Sequence, residues 1–281
     1  MRWEDGRESE NVEDQRRLPV GMALGGAGTI IVIVVALLLG KNPVALLQQA
    51  QNNAPPGLRA APQDSPEESR KVAFVKHVLA ETEDVWDDLF RRLGKQYRQP
   101  KLVLFSGKVD SACGLADSAV GPFYCPSDEK VYIDLQFYDD LRQRFHAPGD
   151  FANAYVIAHE VGHHVQNLMG ISIESKHRQL PNDSQNQLSV RLELQADFLA
   201  GIWAFWANKE MRILEPGDEE KAITAAMAIG DDRLQMAQGY VVPEKFTHGT
   251  SRQRVKWFRE GLKSGKLSEA NLLFKLPYQD L

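Results

Sequence analysis

Residues 18–40 carry no charged side chain, and Val20–Leu39 is a run of apolar and small residues ending in IIVIVVALLL. Twenty helical residues rise about 30 Å, the thickness of a bilayer's hydrocarbon core. A buried helix of a soluble protein is usually shorter and keeps a polar stripe. A cleaved leader has an apolar region of roughly 7–15 residues with a small-x-small site close behind. Here the run is longer and leads into KNPVALLQQAQ. The chain therefore reads as a tail (1–19), a single transmembrane anchor (20–40), a linker rich in Pro, Ala, Gln and Asn (41–65) and one domain (66–281).

Lys and Arg concentrate on the cytoplasmic flank of a membrane helix. Arg2, Arg7, Arg16 and Arg17 precede the anchor, whereas Lys41 and Arg59 follow within twenty residues. That bias places the N-terminus in the cytoplasm and the domain across the membrane. Gly21 and Gly25 form a small-xxx-small pair, which permits a homodimer through the anchor. Cys113 and Cys125 suit one disulfide in an oxidising compartment, with two buried thiols as the other reading. A net charge of −5 without a basic tract argues against nucleic acid as a partner.

Order resumes at Ser65-Pro66-Glu67-Glu68, which supplies a cap hydroxyl, Pro at the first helical position and Glu at the third. Val72, Val75, Leu79, Val85, Trp86, Leu89, Phe90 and Leu93 then recur at helical spacing up to Gly94. Residues 101–105, 123–125 and 130–134 read as strands, the last two as a hairpin with 130–134 an exposed edge that an extended peptide could join. Helices are expected at about 150–169, 185–210, 218–236 and 251–264, with a shorter one near 268–275. Asp150, Asp183 or Ser184, Asp218, and Thr250 or Ser251 are the expected N-caps. The fold class is α+β, predominantly helical with a small β-sheet.

The helix at 150–169 carries AHEVGHH. His159 and His163 are four apart, so their imidazoles share a face and can reach one metal ion. Glu160 is offset around the axis, free to accept a proton from an attacking water. His164 points about 100° away, which suits packing. The longer pattern with Gly and His three and six residues after the second histidine is absent, because Gln166 and Met169 stand there. The third ligand must come from elsewhere. In Glu193-Leu194-Gln195-Ala196-Asp197 two acids share one face of an otherwise apolar helix. Glu193 suits the third ligand and Asp197 the group orienting a ligating imidazole; a solvated acidic pair is the alternative. His77, His146 and His177 read as surface residues, and Trp203, Phe205 and Trp206 as core or pocket lining. Asp231-Asp232 reads as a cap or a surface pair.

HEVGH followed by ELQAD resembles the gluzincin-type zinc peptidases. With GPFYCPSDEKVYID and GDDRLQ, the chain is similar over most of its length to the bacterial neutral zinc metallopeptidase family. More distantly it resembles the CAAX prenyl endopeptidases, whose Thr-His-Pro-x-x-x-x-Arg pattern is matched by Thr247, His248 and Arg254, with Gly249 in place of Pro. The resemblance implies a zincin-like fold, one Zn2+ per chain and a peptide or protein substrate. It also implies His248 near the substrate carbonyl and Arg254 holding the site. The membrane becomes the bacterial inner membrane and the domain periplasmic. A zinc-binding but non-proteolytic envelope adaptor is the alternative.

Overall fold

The computed structural model describes residues 1–16, 64–117, 121–171, 182–236 and 246–281. In chain order its strands are β1 (Val12–Asp14), β2 (Lys101–Phe105), β3 (Lys108–Ser111), β4 (Gly114–Asp117), β5 (Phe123–Cys125) and β6 (Lys130–Asp134). Its α-helices are α1 (Pro66–Arg92), α2 (Gln136–Gln143), α3 (Asp150–Leu168), α4 (Asn182–Met211), α5 (Asp218–Ala228), α6 (Asp231–Met236) and α7 (Ser251–Ser264). Leu267–Phe274 and Tyr278–Asp280 form 3₁₀ turns. The molecule is mixed α+β and mostly helical, as its sequence patterning requires.

Local chemistry sets the helix ends. Ser65 Oγ accepts the Glu68 N–H while the Glu68 carboxylate accepts the Ser65 N–H, satisfying two donors that α1 would otherwise leave free. Thr250 and Gln253 repeat the device on α7. Gly149 and Gly217, rather than Asp150 and Asp218, precede α3 and α5; the acids lie in the first turn, where the helix dipole favours them. The stretch expected as one helix at 218–236 is two, α5 and α6, interrupted at Ile229 and Gly230.

The larger sheet has the order β1-β2-β6-β5, with β1/β2 and β2/β6 parallel and β6/β5 antiparallel. Strand 130–134 is therefore central, and the expectation of an exposed edge there is corrected: the edge on that side is β5. A strand flanked on both sides has no free backbone groups to offer a peptide. β3 and β4 form a separate hairpin, and the Cys113–Cys125 disulfide joins its turn to β5.

The N-terminal segment corrects a second expectation. Residues 1–16 belong to the domain instead of forming a separate tail. Met1 and Trp3 are buried, and Trp3 Nε1 donates to Asp150 at 2.9 Å. Ser9 Oγ donates to Glu83 at 2.6 Å, and Arg7 pairs with Glu83 and Asp84 at 2.7 and 2.8 Å. β1 completes the sheet beside β2. Trp3 also covers His77, which is buried where a surface position was expected, while His146 is exposed. The expected anchor at 20–40, its Gly21–Gly25 pair, most of the linker, and His177 lie outside the described residues. Among the described residues no helix is long and apolar enough to cross a membrane.

Glycines fix the spacing of the core helices. A Cβ on Gly162 of α3 would fall 2.9 Å from the Ala196 carbonyl oxygen of α4. On Gly201 of α4 it would fall 2.2 Å from Phe258 O, and on Gly261 of α7 it would fall 2.0 Å from Phe198 O. Backbones this close admit no side chain, so α3, α4 and α7 pack at distances that only glycine allows. Trp203 stacks on Phe151 in the core, with ring centroids 6.0 Å apart. Phe205 and Trp206 pack at the end of α7 near Gly265, so they line no pocket around the histidines.

Candidate metal centre

The contact at Gly162 brings the histidine face of α3 against the acidic face of α4. His159 Nε2 lies 3.2 Å from Glu193 Oε2, and His163 Nε2 lies 3.4 Å from Glu193 Oε1. One donor atom from each of His159, His163 and Glu193 fits within 4.8 Å of the others, the one such group among the described residues. Donors about 2.1 Å from one tetrahedral ion stand about 3.4 Å apart, close to the two histidine–carboxylate distances, which reach different oxygens of Glu193. Two imidazoles and one carboxylate are also the donor types of a zinc site that keeps one position open. The three residues fit zinc.

Each of the two imidazoles is held from behind. His159 Nδ1 lies 2.8 Å from Asp197 Oδ1, one turn along α4 from Glu193. Asp197 also accepts from Tyr155 Oη at 2.5 Å and from Arg254 Nε and Nη2 at 2.9 Å each. Arg254 is fully buried and reaches Asp197 because Gly201 and Gly261 let α7 lie directly on α4. Burial pushes the Asp197 carboxyl up, but Arg254 and His159 outweigh it and hold it below the usual carboxylate range.

His163 Nδ1 lies 2.9 Å from Gln166 Oε1. The Gln166 amide in turn donates to Leu192 O at 2.7 Å and Gln195 Oε1 at 3.0 Å. Sequence reasoning used Gln166 only to exclude a longer ligand pattern. Its position three residues after His163, on the same helix face, was the available signal for a role in orienting that ring.

Glu160 is buried beside the two histidines, and no hydrogen bond or ion pair to another described residue engages it. His164, adjacent to His163, turns away as expected: Nδ1 meets Tyr124 Oη at 3.0 Å and Nε2 meets Arg98 O at 2.6 Å. It fastens the metal helix to the edge strand β5.

His248 sits in the loop before α7. Its Nδ1 lies 3.1 Å from Asp231 Oδ1. Asp231 Oδ2 accepts three consecutive backbone N–H groups, from Thr247 at 2.7 Å, His248 at 2.6 Å and Gly249 at 3.1 Å. The hydrogen bond to Asp231 raises the His248 ring above its ordinary pKa, with Glu193 adding to the effect. Gly249 packs onto Val190 and Leu194 of α4 and has φ of +85°. Proline cannot take that dihedral and has no N–H for Asp231, so the Gly-for-Pro departure has a backbone cause. Asp231 is a buried acid that organises this loop. A short side chain at the start of a short helix gave no sign of that in the sequence. Asp232 accepts from the Ser251 N–H and Oγ, at 2.7 and 2.8 Å.

Without metal, burial lowers the affinity of His159 for a proton, but Asp197 outweighs it and holds the ring pKa up to about 9. Carboxylates around His163 likewise leave its pKa raised. Zinc must displace these protons. Apparent zinc affinity is therefore expected to climb about tenfold per pH unit for each proton displaced, levelling off near pH 9. Competition with a chromophoric chelator between pH 6 and 9 measures the slope.

Paired imidazoles on one helix, a carboxylate on the next and an unengaged glutamate beside the first imidazole define the HExxH class of zinc peptidase site. The chain belongs to the family described as "Putative neutral zinc metallopeptidase", whose profile matches residues 1–273. Zinc is accordingly its cofactor. It is 46% identical over 288 residues to the uncharacterized protein YpfJ of Escherichia coli K12, covering 98% of this chain and 99% of YpfJ. It is 39% identical over 245 residues to the uncharacterized protein Mb2605 of Mycobacterium bovis and to Rv2575 of Mycobacterium tuberculosis, covering 82% of this chain and 82% of each relative. No solved structure matches the chain.

Proposed function

We propose that the protein is a membrane-anchored peptidase that hydrolyses peptide bonds with zinc on His159, His163 and Glu193. The observation that carries this reading is the convergence of those three donors beside an unengaged, buried Glu160. Zinc held there supplies Lewis acidity, which acidifies water and polarises a carbonyl. Glu160 takes the proton of the attacking water and returns it to the departing amine, base first and acid second. His248, positioned by its contact with Asp231, donates to the carbonyl oxygen as negative charge builds on it. Asp197 and Gln166 keep the two ligating rings aimed, and Arg254 holds Asp197 in place. An extended substrate pairs with β5, the outer strand of the sheet among the described residues, which Tyr124 and His164 tie to the metal helix. The apolar segment at 20–40 anchors the domain to a membrane.

The test is hydrolysis of a mixed peptide library by the full-length chain in detergent. Activity is expected to vanish with a chelator and return with zinc. One zinc per chain with no hydrolysis of any library member would favour the non-proteolytic adaptor, and hydrolysis indifferent to chelator would place the chemistry elsewhere. Glu193→Ala is expected to purify with markedly less zinc than the parent, as metal analysis would show. Unchanged zinc retention in that variant removes Glu193 from the ligand set.

A further inference from the structure

Counting arginines across the apolar segment puts the N-terminus and the domain on opposite sides of a membrane. The folded contacts do not allow that. β1 pairs with β2 in parallel register, Val12 beside Leu102 and Asp14 beside Leu104, and the Leu102 and Gln15 N–H groups donate to Asn11 O and Leu104 O. Arg16, just after β1, pairs with Asp64, just before α1, at 3.0 Å. Backbone ladders and side-chain contacts cannot form through about 30 Å of hydrocarbon. The arginines that set the charge bias have other employment as well: Arg7 pairs with Glu83 and Asp84, and Arg16 with Asp14 and Asp64.

We infer that residues 1–16 and the domain from residue 64 onward lie on the same side of the membrane. This rests on the membrane-anchor reading given above. Exchange of β1 between two copies imposes the same requirement, because a strand and the sheet that receives it share a compartment. The Cys113–Cys125 disulfide makes that compartment an oxidising one.

Two variants of the full chain, each with one added cysteine, test it, Glu10→Cys and Lys263→Cys, both at exposed positions; the native cysteines are bonded and silent. Each is treated in cells with a membrane-impermeant maleimide, before and after the membrane is opened. Labelling of the two positions is expected to agree within about twofold under both conditions. A difference of tenfold or more in intact cells that disappears on opening would overturn the inference. Pelleting with carbonate-washed membranes checks the anchor separately. A chain found in the supernatant fails the anchor reading, and the inference with it, whatever the labelling.

Discussion

Replacing Glu160 with Gln is expected to leave one zinc per chain and reduce peptide hydrolysis by about 10²–10⁴-fold, the range that general base catalysis contributes. The two side chains have nearly the same shape, and no described residue depends on Glu160 for a hydrogen bond, so the fold loses nothing. What disappears is an acceptor that can carry a proton and give it back. Metal analysis and thermal unfolding on the same preparation separate this result from loss of zinc or structure. Hydrolysis at the parental rate would take the proton-transfer role away from Glu160.

The largest stability effect is expected at Arg254, which lies behind the His159 ring with Nη2 3.2 Å from Nδ1. Its guanidinium is 2% exposed and pairs with Asp197, which is fully buried. Removing one partner of such a pair leaves the other charge in the interior, at a cost of about 3–5 kcal/mol. Arg254→Ala is therefore expected to unfold earlier, by on the order of 10 °C for a domain of this size. Denaturant titration of the zinc-free protein measures it without interference from the metal. Combining the change with Asp197→Asn should recover part of the loss, because the stranded charge goes too. A loss below about 1 kcal/mol would mean that His159 and Tyr155, already 2.8 and 2.5 Å from Asp197, compensate its charge without Arg254.

The metal helix was legible because its signal is local. Two histidines one turn apart, without proline, on a helix with an apolar face, leave few other arrangements. The start of α1 was legible for the same reason, since its capping box is complete within four residues, while the start of α7 was narrowed to Thr250 or Ser251. What escaped the sequence depends on partners distant in the chain. Val12–Asp14 has two acids in three residues and no strand pattern; it is a strand because β2 offers it a backbone edge. Placing 130–134 at the edge failed because strand order is decided by what packs on either side, and alternation of side chains carries no record of it. Gln166 and Asp231 escaped because a short polar side chain reads as surface until its partners, Leu192 and Thr247, are placed beside it. His77 escaped because the tryptophan covering it arrives from residue 3.

The glycine crossings restrict how a family built on this frame can diversify. Where backbones touch, there are no rotamers to repack, so α3, α4 and α7 behave as one casting with Glu193, Asp197 and Arg254 set into it. If the proposed function holds, changes in substrate preference are expected outside that casting, in the β5 strand with its disulfide-linked hairpin and in the loop that carries His248. Those are the segments to exchange between relatives in an attempt to redirect what is cut.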